Sequence, residues 1–257
     1  MRNMLKKVSQ GLLGRLGWKM VRTSVLIDEK KDMDQEFLSV YQRCQPHTMT
    51  PIQRMYALYK AVEYVTRYDI PGDIVECGVW KGGSCMLCAL ELKRRGVMDR
   101  QIYLYDTFKG MAAPTAKDVA FEGVDMRHTW SNMQAGEHNT WCYSSLADVK
   151  HVITGTGYPM ERFTFVEGKV EDTIPHTIPE KIAILRLDTD WYESTKHELI
   201  HLFPRLVQNG VLIIDDYGHW KGARAAVDEY FKEQLTPLML HRVDYAGRVA
   251  IKTIEHL

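Results

Sequence analysis

An α/β fold, a mostly parallel sheet with helices on both faces, is what this sequence of 257 residues predicts, and three observations predict it. Apolar runs of strand length alternate with stretches of helical periodicity. A glycine-containing turn leaves the first run and opens a helix, and acids close the fourth and fifth runs. The length suits one large core and one site.

The first residues carry Arg2, Lys6, Lys7, Arg15, Lys19 and Arg22 with no acid before Asp28, while Leu5, Val8, Leu12, Leu16 and Met20 recur at helical spacing. That pattern reads as a helix docking on the domain or on a second subunit, with a basic helix lying on an anionic membrane as the alternative. Helical patterns near 33–44 and 51–68 follow, the second opening at Thr50-Pro51, so residues 1–70 form an N-terminal helical segment and cap. Residues 71–257 then carry the sheet. Its expected strands are Asp73–Cys77, Ile102–Asp106, Phe163–Glu167, Ile182–Asp188 and Val211–Asp215. The helices are Gly83–Arg95, one from Tyr192, and Ala223–Phe231. Leu238–Tyr245 and Arg248–Thr253 read as a terminal hairpin turning at Ala246-Gly247. Between Lys109 and Arg162 one helix is signalled, capped by Ser145 with Asp148 three residues on and stopped by Gly155. The rest, about 111–143, is too long for a passive connector and reads as a lid, with His128, Trp130, His138 and Trp141 as candidate substrate contacts.

Composition narrows the function classes. Lys and Arg total 33 and so do Asp and Glu, leaving no net field to gather a polyanion, and nucleic acid is not an expected partner. Five cysteines, an odd number in apolar surroundings, fit reduced thiols in the cytoplasm. No stretch approaches the roughly 20 apolar residues of a membrane span, and no signal-peptide pattern is visible.

The turn off the first strand reads Glu76-Cys77-Gly78-Val79-Trp80-Lys81-Gly82-Gly83-Ser84. Its form is E-x-G-x-x-x-G, not the G-x-G-x-x-G that brings a pyrophosphate against a helix. An acid there suits a cationic group such as the ammonium of S-adenosylmethionine, and the glycines let backbone and helix N-terminus approach it. Asp106 ends the second strand about twenty residues on, in the register of a ribose-binding carboxylate. Glu167-Gly168, after the third strand, would lie beside the adenine. Leu187-Asp188-Thr189-Asp190 and Ile214-Asp215-Asp216-Tyr217 bring four acids to the carboxyl edge of the sheet. Unpaired they repel one another; as hard oxygen ligands they suit Mg²⁺, with Asp188, Asp215 and Asp216 as ligands and Asp190 as general base. The alternative is ion pairing with Arg186, Arg224 or Lys221.

Other motifs carry less. His197-Glu198-Leu199-Ile200-His201 has H-E-x-x-H spacing, but Thr195, Leu199, Leu202, Phe203 and Leu206 set an apolar face that turns both histidines to the other side. Cys85 and Cys88 have C-x-x-C spacing inside an apolar helix, where cysteines pack as small hydrophobes. Asp188-Thr189-Asp190 is also the D-x-D of metal-dependent glycosyltransferases, the second enzyme class considered; a non-catalytic cofactor-binding protein is the third.

Four blocks in order, Pro71–Gly83, Leu104–Met111, Leu187–Thr195 and Asp215–Gly218, resemble the macrocin O-methyltransferase family, whose members methylate sugar hydroxyls in antibiotic biosynthesis. The resemblance covers roughly residues 48–235. It implies a Rossmann-like class I methyltransferase fold with a seven-stranded mostly parallel sheet, a lid, S-adenosylmethionine as donor, Mg²⁺, a sugar-bearing small-molecule acceptor and a homo-oligomer such as a dimer. It places Asp188, Asp215 and Asp216 on the metal and makes Asp190 the base. It makes Asp106 the ribose ligand; with the loop and topology readings above, the residues expected at the donor are Glu76, Gly78, Val79, Gly82, Ser84, Asp106, Thr107, Phe108, Glu167 and Gly168. Members often carry glycine where this chain has Thr189.

Overall fold

The computed structural model describes residues 30–235 and 237–253. Two compact units divide at Asp34/Gln35; of the first only Lys30–Asp34 are described, so the basic amphipathic helix expected near the N-terminus lies outside the described residues. Everything that follows concerns the second unit.

Two helices open it, α1 (Gln35–Cys44) and α2 (Ile52–Arg67). Pro51, extended at ψ 156°, enters α2, and Met55, Leu58, Val62 and Val65 bury one stripe of it. The alternation of strand and helix then proceeds as expected: β1 (Asp73–Cys77), α3 (Gly83–Arg94), β2 (Ile102–Asp106), the lid, α5 (Leu146–Thr154), β5 (Phe163–Glu167), β6 (Ile182–Leu187), α7 (Tyr192–Leu202), β7 (Leu206–Ile214) and α8 (Lys221–Glu233). Ser145 caps α5 by accepting the amide of Asp148 at 3.2 Å. Seven strands form one sheet in the order β5-β2-β1-β6-β7-β9-β8, with β8 (His241–Arg242) and β9 (Arg248–Ile251) closing it antiparallel to β7. All six residues of β6 are buried, as a central strand covered on both faces requires.

Three expectations are corrected. The terminal hairpin is shorter, because the carboxylate of Asp244 accepts the amides of Ala246 (2.9 Å) and Gly247 (2.6 Å) and widens the turn, while Leu238 and Leu240 leave the ladder for the core. β7 begins at Leu206 instead of Val211, running through Gln208-Asn209-Gly210, which reads locally as a turn; Asn209 takes φ 64° and its amide still reaches Lys252 O. The stretch read as a lid, where the sequence signalled no element, carries α4 (Arg127–Asn132) and a small hairpin of β3 (Gln134–Ala135) and β4 (His138–Asn139). A one-turn helix, α6 (Val170–Thr173), and the start of α8 two residues early complete the differences. No helix among the described residues is long and apolar enough to cross a membrane.

The strand order reverses between β1 and β6, and the carboxyl ends of an open α/β sheet at such a point frame a crevice.

Candidate active site

A cleft of about 470 Å³ occupies that crevice, with Gly78, Ser84, Asp106, Asp188, Asp190 and Asp216 among its walls. Gly78 has φ 87°, and a Cβ there would meet Asp188 O at 1.9 Å, so only glycine lets β1 turn this close beside β6. The turn is tied to the second strand through Asp106. Its Oδ2 accepts the amides of Val79 (2.7 Å) and Trp80 (2.9 Å), and its Oδ1 that of Phe108 (2.7 Å). Burial raises its carboxyl and these amides oppose that. Trp80 and Phe108, at φ 49° each, hold strained conformations that the carboxylate stabilises. Asp106 is therefore first a brace for the loop, and its remaining lone pairs face the cleft. Asp106→Ala is expected to weaken S-adenosylhomocysteine binding about 10- to 100-fold, since each charge-assisted bond contributes roughly 1.5–3 kcal/mol; calorimetric titration reads it.

The acids just beyond β6 and β7 come together. One carboxylate oxygen from each of Asp188, Asp215 and Asp216 lies within 4.8 Å of the others. Two buried arginines enter the cluster. Arg186 binds Glu76 (2.5 Å), Asp188 (2.7 Å) and Asp215 (2.7 Å); Arg54, from α2, binds the other oxygen of Asp215 and, at 3.0 Å, Asp244. The ion-pairing alternative is thus realised for Arg186, whereas Arg224 pairs with Asp228 at 3.4 Å. Two guanidiniums do not balance six acids, counting Glu76, Asp188, Asp190, Asp215, Asp216 and Asp244. Burial and mutual repulsion push the carboxyls of Asp188 and Asp216 well above the usual range and that of Asp190 up to about 7. Asp216 Oδ2 is buried without a hydrogen-bond partner. A buried orphan oxygen among hard donors with surplus negative charge fits a divalent cation.

Asp190 stands at φ 69°, between that cluster and the lid, and one of its oxygens accepts the indole N–H of Trp220. An aromatic cluster joins Trp141 of the lid to Trp191 and Trp220. Trp141 meets Trp191 at 5.8 Å and Trp220 at 6.3 Å between ring centroids, with Met111 and Met126 beside them. Trp191 and Trp130 are anchored through their indole N–H groups on Ala112 O and Met111 O.

Of the donor residues expected from sequence, Glu76, Gly78, Val79, Ser84 and Asp106 line the main cleft. Thr107 and Gly168 line a smaller cavity that shares Gly78, Asp106 and Asp188 with it. Gly82, Phe108 and Glu167 line neither: Gly82 forms the left-handed cap of α3, Phe108 is buried, and Glu167 is exposed. Glu76 meets Arg186 and the thiol of Cys85, so its charge is already partnered. In the lid Trp141 reaches the cleft, whereas His128 pairs with Asn132 and His138 stacks on Tyr143. The H-E-x-x-H histidines lie side by side, but Glu198 is directed elsewhere. Glu198 is buried and accepts the hydroxyl of Thr189, while His197 hydrogen-bonds Ile174 O and His201 lies beside it. Cys85 and Cys88 are buried thiols whose protonated form burial favours. Sequence reasoning missed Arg54, Trp220 and the lid's Asp118; a buried arginine or aspartate has no local signature apart from the partners that the fold brings to it.

Similarity to known proteins shows the family. The profile of the family described as Macrocin-O-methyltransferase (TylF) matches residues 19–251. Mycinamicin III 3''-O-methyltransferase of Micromonospora griseorubida is 32% identical over 82% of this chain and 78% of its own. An 8-demethyl-8-(2,3-dimethoxy-alpha-L-rhamnosyl)-tetracenomycin-C 4'-O-methyltransferase of Streptomyces olivaceus is 33% identical over 89% and 83%. The solved O-methyltransferase NovP superposes with TM-score 0.70 at 30% identity, over 81% of this chain and 83% of that one. With a profile match over most of its length laid on a seven-stranded class I sheet, the chain belongs to the macrocin O-methyltransferase family and is an S-adenosylmethionine-dependent O-methyltransferase.

Proposed function

We propose that the enzyme methylates a hydroxyl of a sugar-bearing small molecule, with Mg²⁺ held by Asp188, Asp215 and Asp216 and with Asp190 as general base. The observation that carries this reading is the mixed lining of the cleft: acids with an orphan oxygen, and Trp141, Trp220, Met111 and Met126 in the same walls. A sugar ring is amphipathic in the matching way, with C–H groups for an aromatic face and hydroxyls for the acids. The Streptomyces olivaceus relative is named for a rhamnosyl-bearing acceptor.

When bound, the donor presents an electrophilic methyl on its sulfonium, and the cation stabilises developing negative charge on the acceptor oxygen. Asp190 takes the hydroxyl proton; as the O–CH₃ bond forms the S–CH₃ bond breaks, leaving neutral S-adenosylhomocysteine. Trp220 orients Asp190, and the docked lid excludes water. Burial and the charge of Asp188 both raise the Asp190 carboxyl, the direction that strengthens a base.

The metal assignment is tested by Mg²⁺ titration of Asp216→Asn. The variant is expected to lose at least about tenfold in Mg²⁺ affinity, in line with loss of one hard charged ligand, while S-adenosylhomocysteine affinity stays within about twofold; equal Mg²⁺ affinity in both proteins would remove Asp216 from the site.

A further inference from the structure

Asp118 is an acid of the lid, yet it is 0% exposed and lies far in sequence from the elements it touches. Its Oδ2 accepts the amide (2.6 Å) and hydroxyl (2.9 Å) of Thr115, which fixes the local turn of the lid. Its Oδ1 accepts the amide of Tyr192 at 2.8 Å. Tyr192 is the first residue of α7, whose own N-cap residue, Trp191, supplies no side-chain cap. The lid therefore caps this helix in trans, satisfying an amide that the helix leaves unpaired and setting a negative charge on its positive end. The bond falls two residues after Asp190.

The seat is shaped for that carboxylate. Gly222, in the first turn of α8, leaves the room: a Cβ there would stand 2.4 Å from Asp118 Oδ1. Next to Asp118 the lid backbone zips onto the segment before α8. Lys221 donates to Val119 O (2.9 Å), Ala120 bridges Trp220, and Phe121 donates to His219 O (3.2 Å). Trp220 in turn donates its indole N–H to Asp190 and its amide to Asp216 O. Docking residues 118–121 thus fixes Asp190 from both flanks, through the start of α7 and through Trp220.

We infer that Asp118 is a positioning residue for methyl transfer, coupling closure of the lid to placement of Asp190. The inference rests on the reading of Asp190 as base. It makes the reaction depend on a closed lid, with Asp118 acting on the base through α7 and Trp220, so that the base is set only when water is excluded.

The indole N–H signals of the six tryptophans in ¹⁵N-labelled full-length protein test it. Trp220 is identified by the signal lost in Trp220→Phe, and Asp190→Ala defines its position without the acceptor. In Asp118→Ala the Trp220 signal is expected to move to that position, and in Asp118→Asn, whose side-chain oxygen still accepts from Tyr192, to return to the wild-type one. Gly222→Ala evicts the carboxylate while leaving the lid sequence and a helical backbone intact, and is expected to reproduce the Asp118→Ala shift even if that variant fails to fold. An unmoved Trp220 signal in folded Asp118→Ala or Gly222→Ala, with faster amide exchange confined to residues 115–121, would show that Asp118 merely fastens the lid, and would overturn the inference. Affinity for S-adenosylhomocysteine in these variants is expected to stay within about twofold of wild type; a parallel loss would mean general loosening and also count against it. Should the wild type itself ignore S-adenosylhomocysteine, the methyl-transfer reading falls, while the indole comparison still decides the coupling.

Discussion

Asp190→Asn is expected to slow methyl transfer by about 10²–10⁴-fold, the range ordinarily removed with a general base, and to leave the affinity for S-adenosylhomocysteine within about twofold. Asparagine keeps what geometry requires: it tolerates the left-handed conformation at φ 69°, and its carbonyl still accepts the indole N–H of Trp220. Only the ability to hold a proton is lost. Single-turnover rates on an acceptor with its hydroxyl free, with calorimetric binding of the donor product alongside, separate the two effects. A rate within threefold of wild type would remove Asp190 as the base.

The second large effect concerns stability. Arg186 is buried with three carboxylates, and Arg186→Met leaves Glu76, Asp188 and one oxygen of Asp215 facing each other without a cation. Removing one partner of a buried ion pair costs about 3–5 kcal/mol, because the charge left behind stays desolvated. The loss depends on pH with a definite sign. In the native protein burial pushes Glu76 and Asp188 upward, and Arg186 is the opposing influence on both, so its loss raises them further. A carboxyl raised in the folded state binds more protons there than when unfolded. Its contribution is intact below the unfolded value of about 4 and is lost as pH climbs through the raised one. Urea midpoints are therefore expected to show a larger deficit for Arg186→Met at about pH 8 than at about pH 5, with Mg²⁺ recovering part of it; a deficit that grew toward acid pH would contradict the sign.

The sheet was legible because its signals are local. Apolar runs such as Ile182–Leu187 and the E-x-G turn after β1 announce strand, turn and helix within a few residues, and the chain order of acids places them at the carboxyl edge. The acid cluster was legible for the same reason, since Asp188, Asp190, Asp215 and Asp216 sit at or just past strand ends. What escaped is long-range. Arg54 reaches Asp215 across 161 positions and Asp118 reaches Tyr192 across 74, and neither residue differs in type or neighbours from a solvated one. Asp106 and Glu76 carry contacts that were equally invisible: both line the cleft as expected of ligand contacts, and both are also engaged with the protein, Asp106 by three backbone amides and Glu76 by Arg186. Preorganisation of that kind cannot be seen before the loop and strands are assembled.

One cleft that takes donor and cation together is the core of this account, and titration calorimetry tests it most directly: S-adenosylmethionine and S-adenosylhomocysteine with and without Mg²⁺, and a sugar nucleotide for comparison. The expected result is one site binding both methyl-donor forms at roughly micromolar dissociation constants, about −8 kcal/mol, with Mg²⁺ binding abolished in the triple Asp188→Asn, Asp215→Asn, Asp216→Asn protein. Binding of the sugar nucleotide alone would contradict it, and would assign Asp188-Thr189-Asp190 to glycosyl transfer instead.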